Sequence, residues 1–261
     1  MGVNLAVAAA LSAAGLFLGM LLLFDIGRSI GIARLARDPG GVANGAGPIE
    51  AAVFGLLGLL LAFTFSGAAA RFEERRHLIT EEANAIGTAY LRIDLLPADV
   101  RPELRQLFRR YVDARLQSNR KADDASTTHA EIAATAQLQR QIWEKSVAAS
   151  RQPELPNSVA TLVIPALNQM IDITTTRAVA RQNHPPTVIY VLLAGLSLLS
   201  ALLAGYVMSD TKVRSWFYML IISGTISLTF YVIMDLEFPR LGLIRIDAAD
   251  QTLVDLKSTL N

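Results

Sequence analysis

Four long apolar stretches stand out along an otherwise mixed chain. They cover residues 5–24, 51–70, 187–208 and 216–234, and none contains a charged side chain. A helix of about 20 residues rises about 30 Å, which matches the hydrocarbon thickness of a bilayer. We therefore predict four transmembrane helices. The first is expected to be retained, because no basic segment precedes it as in a cleaved signal peptide.

The polar region between the second and third stretches, residues 71–186, has helical periodicity. Apolar side chains from Leu104 to Tyr111 recur at spacings of three and four, as in a helix with one buried face. Residues 128–131 have the spacing of a capping box, and a further helix is predicted over residues 157–182. The pattern therefore predicts an all-α membrane protein with a helical extramembrane domain inserted between the second and third spans.

These elements divide the chain into four parts. Residues 1–70 hold the first two spans and a Gly- and Pro-rich loop at residues 38–48, and residues 71–186 form the helical domain. Residues 187–234 hold the last two spans, joined by a predicted hairpin at residues 209–215, and residues 235–261 form a C-terminal tail.

The second apolar stretch runs directly into a charged segment, RFEERRHLITEE (71–82), with no turn residue between them. At about 100° per residue, one ridge of apolar side chains continues across this boundary on a single helical face. We predict one unbroken helix over residues 50–93, about 65 Å long. Its ridge consists of Phe54, Leu61, Phe65, Phe72, Ile79, Ile86 and Ile93.

Three arginines lie where this helix would leave the bilayer, and they are expected to reach lipid phosphates. They are Arg71, Arg75 and Arg76.

A polar stripe is predicted on another side of the same helix. One interpretation is a solvated face with local ion pairs involving Arg71 and His77. The other is a vestibule in an assembly of several copies, where rings of carboxylates would concentrate cations. The stripe consists of Glu74, His77, Glu81, Asn84 and Thr88.

Small residues are periodic within the spans. Gly15 and Gly19 form a GxxxG pair in the first, and such faces allow the backbones of membrane helices to approach closely. We leave open whether the small-residue face of the second span packs within the subunit or lies at a subunit interface or narrow pore. That face contains Ala51, Gly55, Gly58, Ala62, Ser66 and Ala69.

Two further carboxylates, Asp235 and Glu237, lie where the fourth span ends, and Pro239 predicts a turn there. If Asp235 met Glu74 and Glu81, their oxygens would suit Ca²⁺ or another hard cation as ligand or permeant ion. Ion pairs of Asp235 and Glu237 with Arg240 or Arg71 are the structural alternative.

Composition narrows the function classes. Hydrophobic residues make up 52 % of the chain, its net charge is +1, and it has no cysteine. We expect no nucleic-acid partner, because no strong positive charge is present. Ionisable groups are absent from the spans, which argues against a proton relay. The three histidines lack metal-ligand spacing and no catalytic motif is present, so we expect neither an enzyme nor a cofactor.

Four segments together resemble the bacterial bestrophin-like family of membrane proteins. The two most specific are RFEERRHLITEEANAIGTAYLRIDLLP (71–97) and DLEFPRLGLIRID (235–247), accompanied by residues 107–116 and 166–177. The resemblance implies four spans, a helical cytoplasmic part and oligomeric channel activity.

We therefore expect a passive, homo-oligomeric ion channel of the bacterial inner membrane. The alternative is a non-conducting scaffold or sensor that recruits a partner through its helical domain. Lys and Arg near the span ends place both termini and this domain in the cytoplasm.

Overall fold

The computed structural model of the chain describes residues 2–37, 46–120, 128–210, 216–239 and 242–260. Every regular element within these ranges is helical, as predicted. Residues 38–45 of the predicted loop and residues 211–215 of the predicted hairpin lie outside the described residues. The helices are α1 (Gly2–Leu35), α2 (Ala46–Arg92), α3 (Arg101–Arg120), α4 (Thr128–Ser150), α5 (Asn157–Gln182), α6 (Thr187–Val207), α7 (Trp216–Glu237) and α8 (Asp247–Thr259).

The four predicted apolar stretches lie in α1, α2, α6 and α7. The described chain has four helical segments that are long and apolar enough to cross a membrane. Contacts divide the chain into two compact units. An apolar unit contains residues 3–70 and 184–238, and a polar unit contains residues 71–183 and 239–261.

Helix α2 is continuous from Ala46 to Arg92. Its 47 residues correspond to about 70 Å of helix, so the predicted continuity across residue 70 is confirmed. The environment of the apolar ridge changes along the helix. Ile79 and Ile86 are fully buried in the core of the polar unit, whereas Phe65 is 43 % exposed.

The core of the apolar unit takes side chains from all four of its helices. Met20 of α1, Leu57 of α2, Leu193 of α6 and Phe230 of α7 are all buried there. These helices pack because their large side chains meet, and because one pair of backbones comes much closer than side chains of ordinary size would allow.

That close approach lies between α1 and α6. A Cβ atom added at Gly27 would lie 2.0 Å from the carbonyl oxygen of Leu202, and one added at Gly205 would lie 2.0 Å from that of Phe24. Arg28 extends the contact by donating to the carbonyl of Met208, at 3.1 Å, just beyond the end of α6. Only glycine permits such backbone contact.

The predicted Gly15 and Gly19 pair does not make this contact. A Cβ atom at Gly15 would meet nothing within 4 Å, and one at Gly19 would meet only the side chain of Leu198. The close approach is made instead at Gly27, about two turns beyond Gly19 and outside the apolar run of residues 5–24.

The core of the polar unit joins α2, α3, α4, α5 and α8. Ile86, Phe108, Ile142 and Met170 from the first four of these helices are buried in one cluster. Leu253 of α8 is buried in the same cluster. The stretch predicted as a C-terminal tail is therefore partly helical, and its residues 239–261 belong to the polar unit.

The backbone contact of α6 predicts a large difference between two glycines of that helix. Gly205→Ala should lower the free energy of unfolding by about 1–3 kcal/mol, because its methyl group has no room beside Phe24. Gly195→Ala is the matched control, since nothing lies within 4 Å of that position. It should leave stability unchanged or raise it by up to about 1 kcal/mol. Denaturant unfolding in detergent micelles measures both variants, and equal effects would contradict the close approach.

Candidate functional site

The small-residue face of α2 is not packed within the chain. Gly55, Gly58, Ala62 and Ser66 are all exposed. A Cβ atom added at Gly55 or Gly58 would meet nothing within 4 Å. The interpretation that these four residues pack inside the subunit is therefore wrong, and the interpretation as a subunit interface or pore stays a prediction.

The predicted polar stripe is exposed along its whole length. Glu74, His77, Glu81, Asn84 and Thr88 all face away from the core of the polar unit. His77 Nε2 and Glu81 Oε1 are 3.1 Å apart, which is the local pairing that the solvated-face interpretation expected. In a single chain the stripe is a solvated face, and its lining of a vestibule stays a prediction.

Two of the three arginines of the charged segment, Arg75 and Arg76, have different surroundings. Arg75 is 7 % exposed and donates to the carbonyls of Ala180, at 3.2 Å, and Asn183, at 2.9 Å. It thus caps the C-terminal end of α5, and the expectation that it reaches lipid phosphate is wrong. Arg76 is exposed and pairs with Glu73 at 2.9 Å.

The carboxylates at the end of the fourth span are buried. Asp235 is 4 % exposed and Glu237 is 1 % exposed, and both lie in the last turn of α7, which ends at Glu237 rather than at the predicted Met234. The Nδ1 atom of His184 lies 3.2 Å from Oε2 of Glu237, and the His184 ring stacks on Phe238 with 4.9 Å between centroids. Arg240, one of the two partners proposed from the sequence, lies outside the described residues, and a pairing with the other, Arg71, stays a prediction.

No metal site is preassembled in the described ranges. They contain no group of three or more His, Asp or Glu side chains placed to hold a metal ion. The expectation that Glu74, Glu81 and Asp235 bind a cation stays a prediction.

The most deeply buried charge of the polar unit is Glu82, which sequence reasoning did not single out. Its side chain is completely buried, although the preceding Glu81 is exposed. Arg115 Nε of α3 donates to Oε1 of Glu82 at 2.5 Å, and Arg177 Nη1 of α5 pairs with Oε2. One carboxylate of α2 therefore binds two other helices.

Asn119 extends this cluster to α8. Its side-chain oxygen accepts from Arg177 at 3.3 Å and from Arg181 at 2.9 Å. Its side-chain nitrogen donates to Asp250 at 3.2 Å. The ionic cluster thus joins α2, α3, α5 and α8 around one buried carboxylate.

Burial makes the charged groups of this cluster unfavourable unless each is paired. Burial lowers the pKa of the Arg115 guanidinium from its ordinary value, and the nearby Tyr111 opposes that shift. Removing ions from water costs several kcal/mol each, and the cost is offset only when every charge is paired with good geometry. Deleting one member would leave an uncompensated buried charge.

The chain matches a known family over most of its length. A bestrophin-like domain model matches residues 8–250. The chain belongs to the bestrophin-like family. With four helices able to span a bilayer, this bestrophin-like chain is an integral membrane protein. No curated protein matches it.

Solved structures of a bacterial bestrophin homolog from Klebsiella pneumoniae share the fold. A tryptophan-to-alanine variant has 16 % identity and a TM-score of 0.69, covering 95 % of this chain and 98 % of that one. A leucine-to-threonine variant has 18 % identity and a TM-score of 0.69, covering 94 % and 98 %. The structure phased with zinc has 18 % identity and a TM-score of 0.65, covering 92 % and 97 %.

The ionic cluster predicts opposite outcomes for two adjacent glutamates of this bestrophin-like chain. Glu82→Gln should lower the free energy of unfolding by about 3–5 kcal/mol, because both arginines would lose their buried counter-charge. Glu81→Gln, its exposed neighbour, should change it by less than about 0.5 kcal/mol. Chemical denaturation of both variants in the same detergent measures the difference. Similar stabilities would show that Glu82 is not held as a buried ion.

Proposed function

We propose that this bestrophin-like protein is a homo-oligomeric, passive ion channel of the bacterial inner membrane, with its pore bordered by α2. The observation that carries the proposal is the low burial of the second span within one chain. Only 11 % of the most apolar window of that span is buried, against 22 %, 33 % and 28 % for the other three. So much bare apolar surface must face lipid or other copies of the chain.

The kind of residue on that surface favours other copies. Lipid tails pack against large apolar side chains as well as against small ones, so contact with lipid does not require a small-residue face. Close contact between helices does require one, because small residues let backbones approach. The exposed series Gly55, Gly58, Ala62 and Ser66 therefore supports a helix–helix interface or a narrow pore.

The continuity of α2 supports the rest of the conduction path. A helix that leaves the membrane unbroken carries Glu74, His77, Glu81 and Asn84 beyond the lipid as an exposed stripe. Arranged around an axis, this stripe would line a vestibule. In this proposal the polar unit is an extramembrane, cytoplasmic domain, and the carboxylates favour cations, including Ca²⁺. The resemblance of this family to bestrophin anion channels, by contrast, favours anions, so the proposal leaves the sign of the permeant ion open.

A second candidate function is a non-conducting scaffold or sensor. The observation that favours it is apolar exposure on the polar unit. Leu91, Leu95 and Leu162 are 69 %, 40 % and 45 % exposed, near the bond from Arg92 to the Leu162 carbonyl. Projection images of the solubilised particle along the membrane normal distinguish the two. A central hole bordered by equivalent subunits supports the channel, and a solid bundle supports the scaffold.

The channel proposal predicts that chemical modification of the stripe changes conduction. The chain has no cysteine, so Glu81→Cys provides a unique thiol. A charged thiol reagent added to this variant in a planar bilayer should change the current, because the new charge would lie in the ion path. Glu144→Cys, an exposed position on α4, is the control and should be insensitive. Absence of conductance with any common ion contradicts the channel.

The stripe also predicts the direction of an effect on selectivity. The double variant Glu74→Gln, Glu81→Gln should lower the ratio of cation to anion permeability, because two carboxylates per subunit would be lost. The reversal potential under a salt gradient measures this ratio. Glu144→Gln should leave it unchanged. An unchanged permeability ratio in the double variant would show that the stripe does not line the ion path. It would not contradict ion conduction itself.

A further inference from the structure

We propose that Glu82, Arg115 and Arg177 form a rotational clamp on α2, and that this clamp sets which face of the pore helix is turned toward the conduction path. These three are positioning residues that act through α2 and do not contact the ion. The part of this inference that concerns the conduction path rests on the proposed channel function. The clamp itself can be tested without measuring conduction.

The direction of Glu82 on α2 is the first step. At about 100° per residue, Glu82 lies about 120° from the mean direction of the polar stripe. The clamp therefore holds a side of α2 that faces away from the stripe. Because Glu82 and the stripe lie on one helix within the polar unit, a rotation of α2 at Glu82 would turn the stripe.

A second contact lies on the same side of α2. Arg75 precedes Glu82 by seven residues, so the two side chains point about 20° apart. Both contact α5: Arg75 binds the carbonyls of Ala180 and Asn183, and Glu82 binds Arg177. Two polar contacts along one line thus fix the rotation of α2 relative to α5.

The chemistry of the clamp explains why ions are used there. The apolar contacts of Ile79 and Ile86 are non-directional, so they tolerate a small roll of the helix. A carboxylate held by two guanidinium groups is directional, because each bond has a preferred geometry. Even a small roll would move the Glu82 carboxylate away from the two guanidinium groups that hold it. The buried ions therefore specify one rotational setting that apolar packing alone leaves loose.

The test separates this role from a purely structural one. The triple variant Glu82→Leu, Arg115→Met, Arg177→Leu replaces all three ions together, and such replacements are often neutral or stabilising. We expect it to keep the stability and particle size of the parent protein. Glu103→Gln, Lys145→Gln removes an exposed ion pair and is the matched control.

The readout is thiol accessibility along the exposed side of α2. Cysteines are introduced singly as Thr80→Cys, Glu81→Cys, Asn84→Cys and Thr88→Cys in the parent, the control and the triple variant, and labelling rates are measured on the assembled particles. We expect the triple variant to have a different order of labelling rates and a lower conductance than the parent, although its stability is unchanged. The control should keep the parent order.

A parent-like labelling order in a stable triple variant overturns the clamp. If that variant fails to assemble, Arg177→Lys supplies the test, since it keeps the charge but loses the planar two-donor geometry. A changed labelling order in this variant supports the clamp, and an unchanged order overturns it. If the parent protein conducts no ion, the channel function fails, and the labelling order still decides the clamp.

Discussion

One helix crosses two environments, and the rest of the structure depends on this continuity. The first half of α2 contributes Leu57 to the core of the apolar unit, and the second half contributes Ile79 and Ile86 to the core of the polar unit. Because α2 has no break near residue 70, its residues follow one helical periodicity in both environments.

The two units hold their helices by different forces. In the apolar unit, Gly27 and Gly205 let α1 and α6 approach to backbone contact, where dispersion and packing replace the missing hydrophobic drive. In the polar unit, apolar burial supplies most of the driving force. The buried ions around Glu82 add direction to it, because an ion pair away from water requires one geometry.

The surfaces left bare are as informative as those that are packed. The apolar unit exposes a series of small residues on α2, and the polar unit exposes the stripe from Glu74 to Thr88. Within the described residues, a single chain gives neither surface a binding partner of its own. The bestrophin-like domain match covers residues 8–250 and therefore includes both surfaces.

The sequence by itself determined the helical class, the four apolar spans, the unbroken α2 and the family. These features depend on local periodicity and on runs of similar residues, and both can be seen in the linear sequence. Only the tertiary structure decided which side chain Glu82 meets, that Arg75 caps α5, and that Gly27 lies against the backbone of α6 while Gly15 does not. Helical periodicity turns Glu82 toward the side of Ile79 and Ile86, but it does not name the partner that Glu82 binds. That partner lies on a helix distant in sequence, and only packing brings the two together.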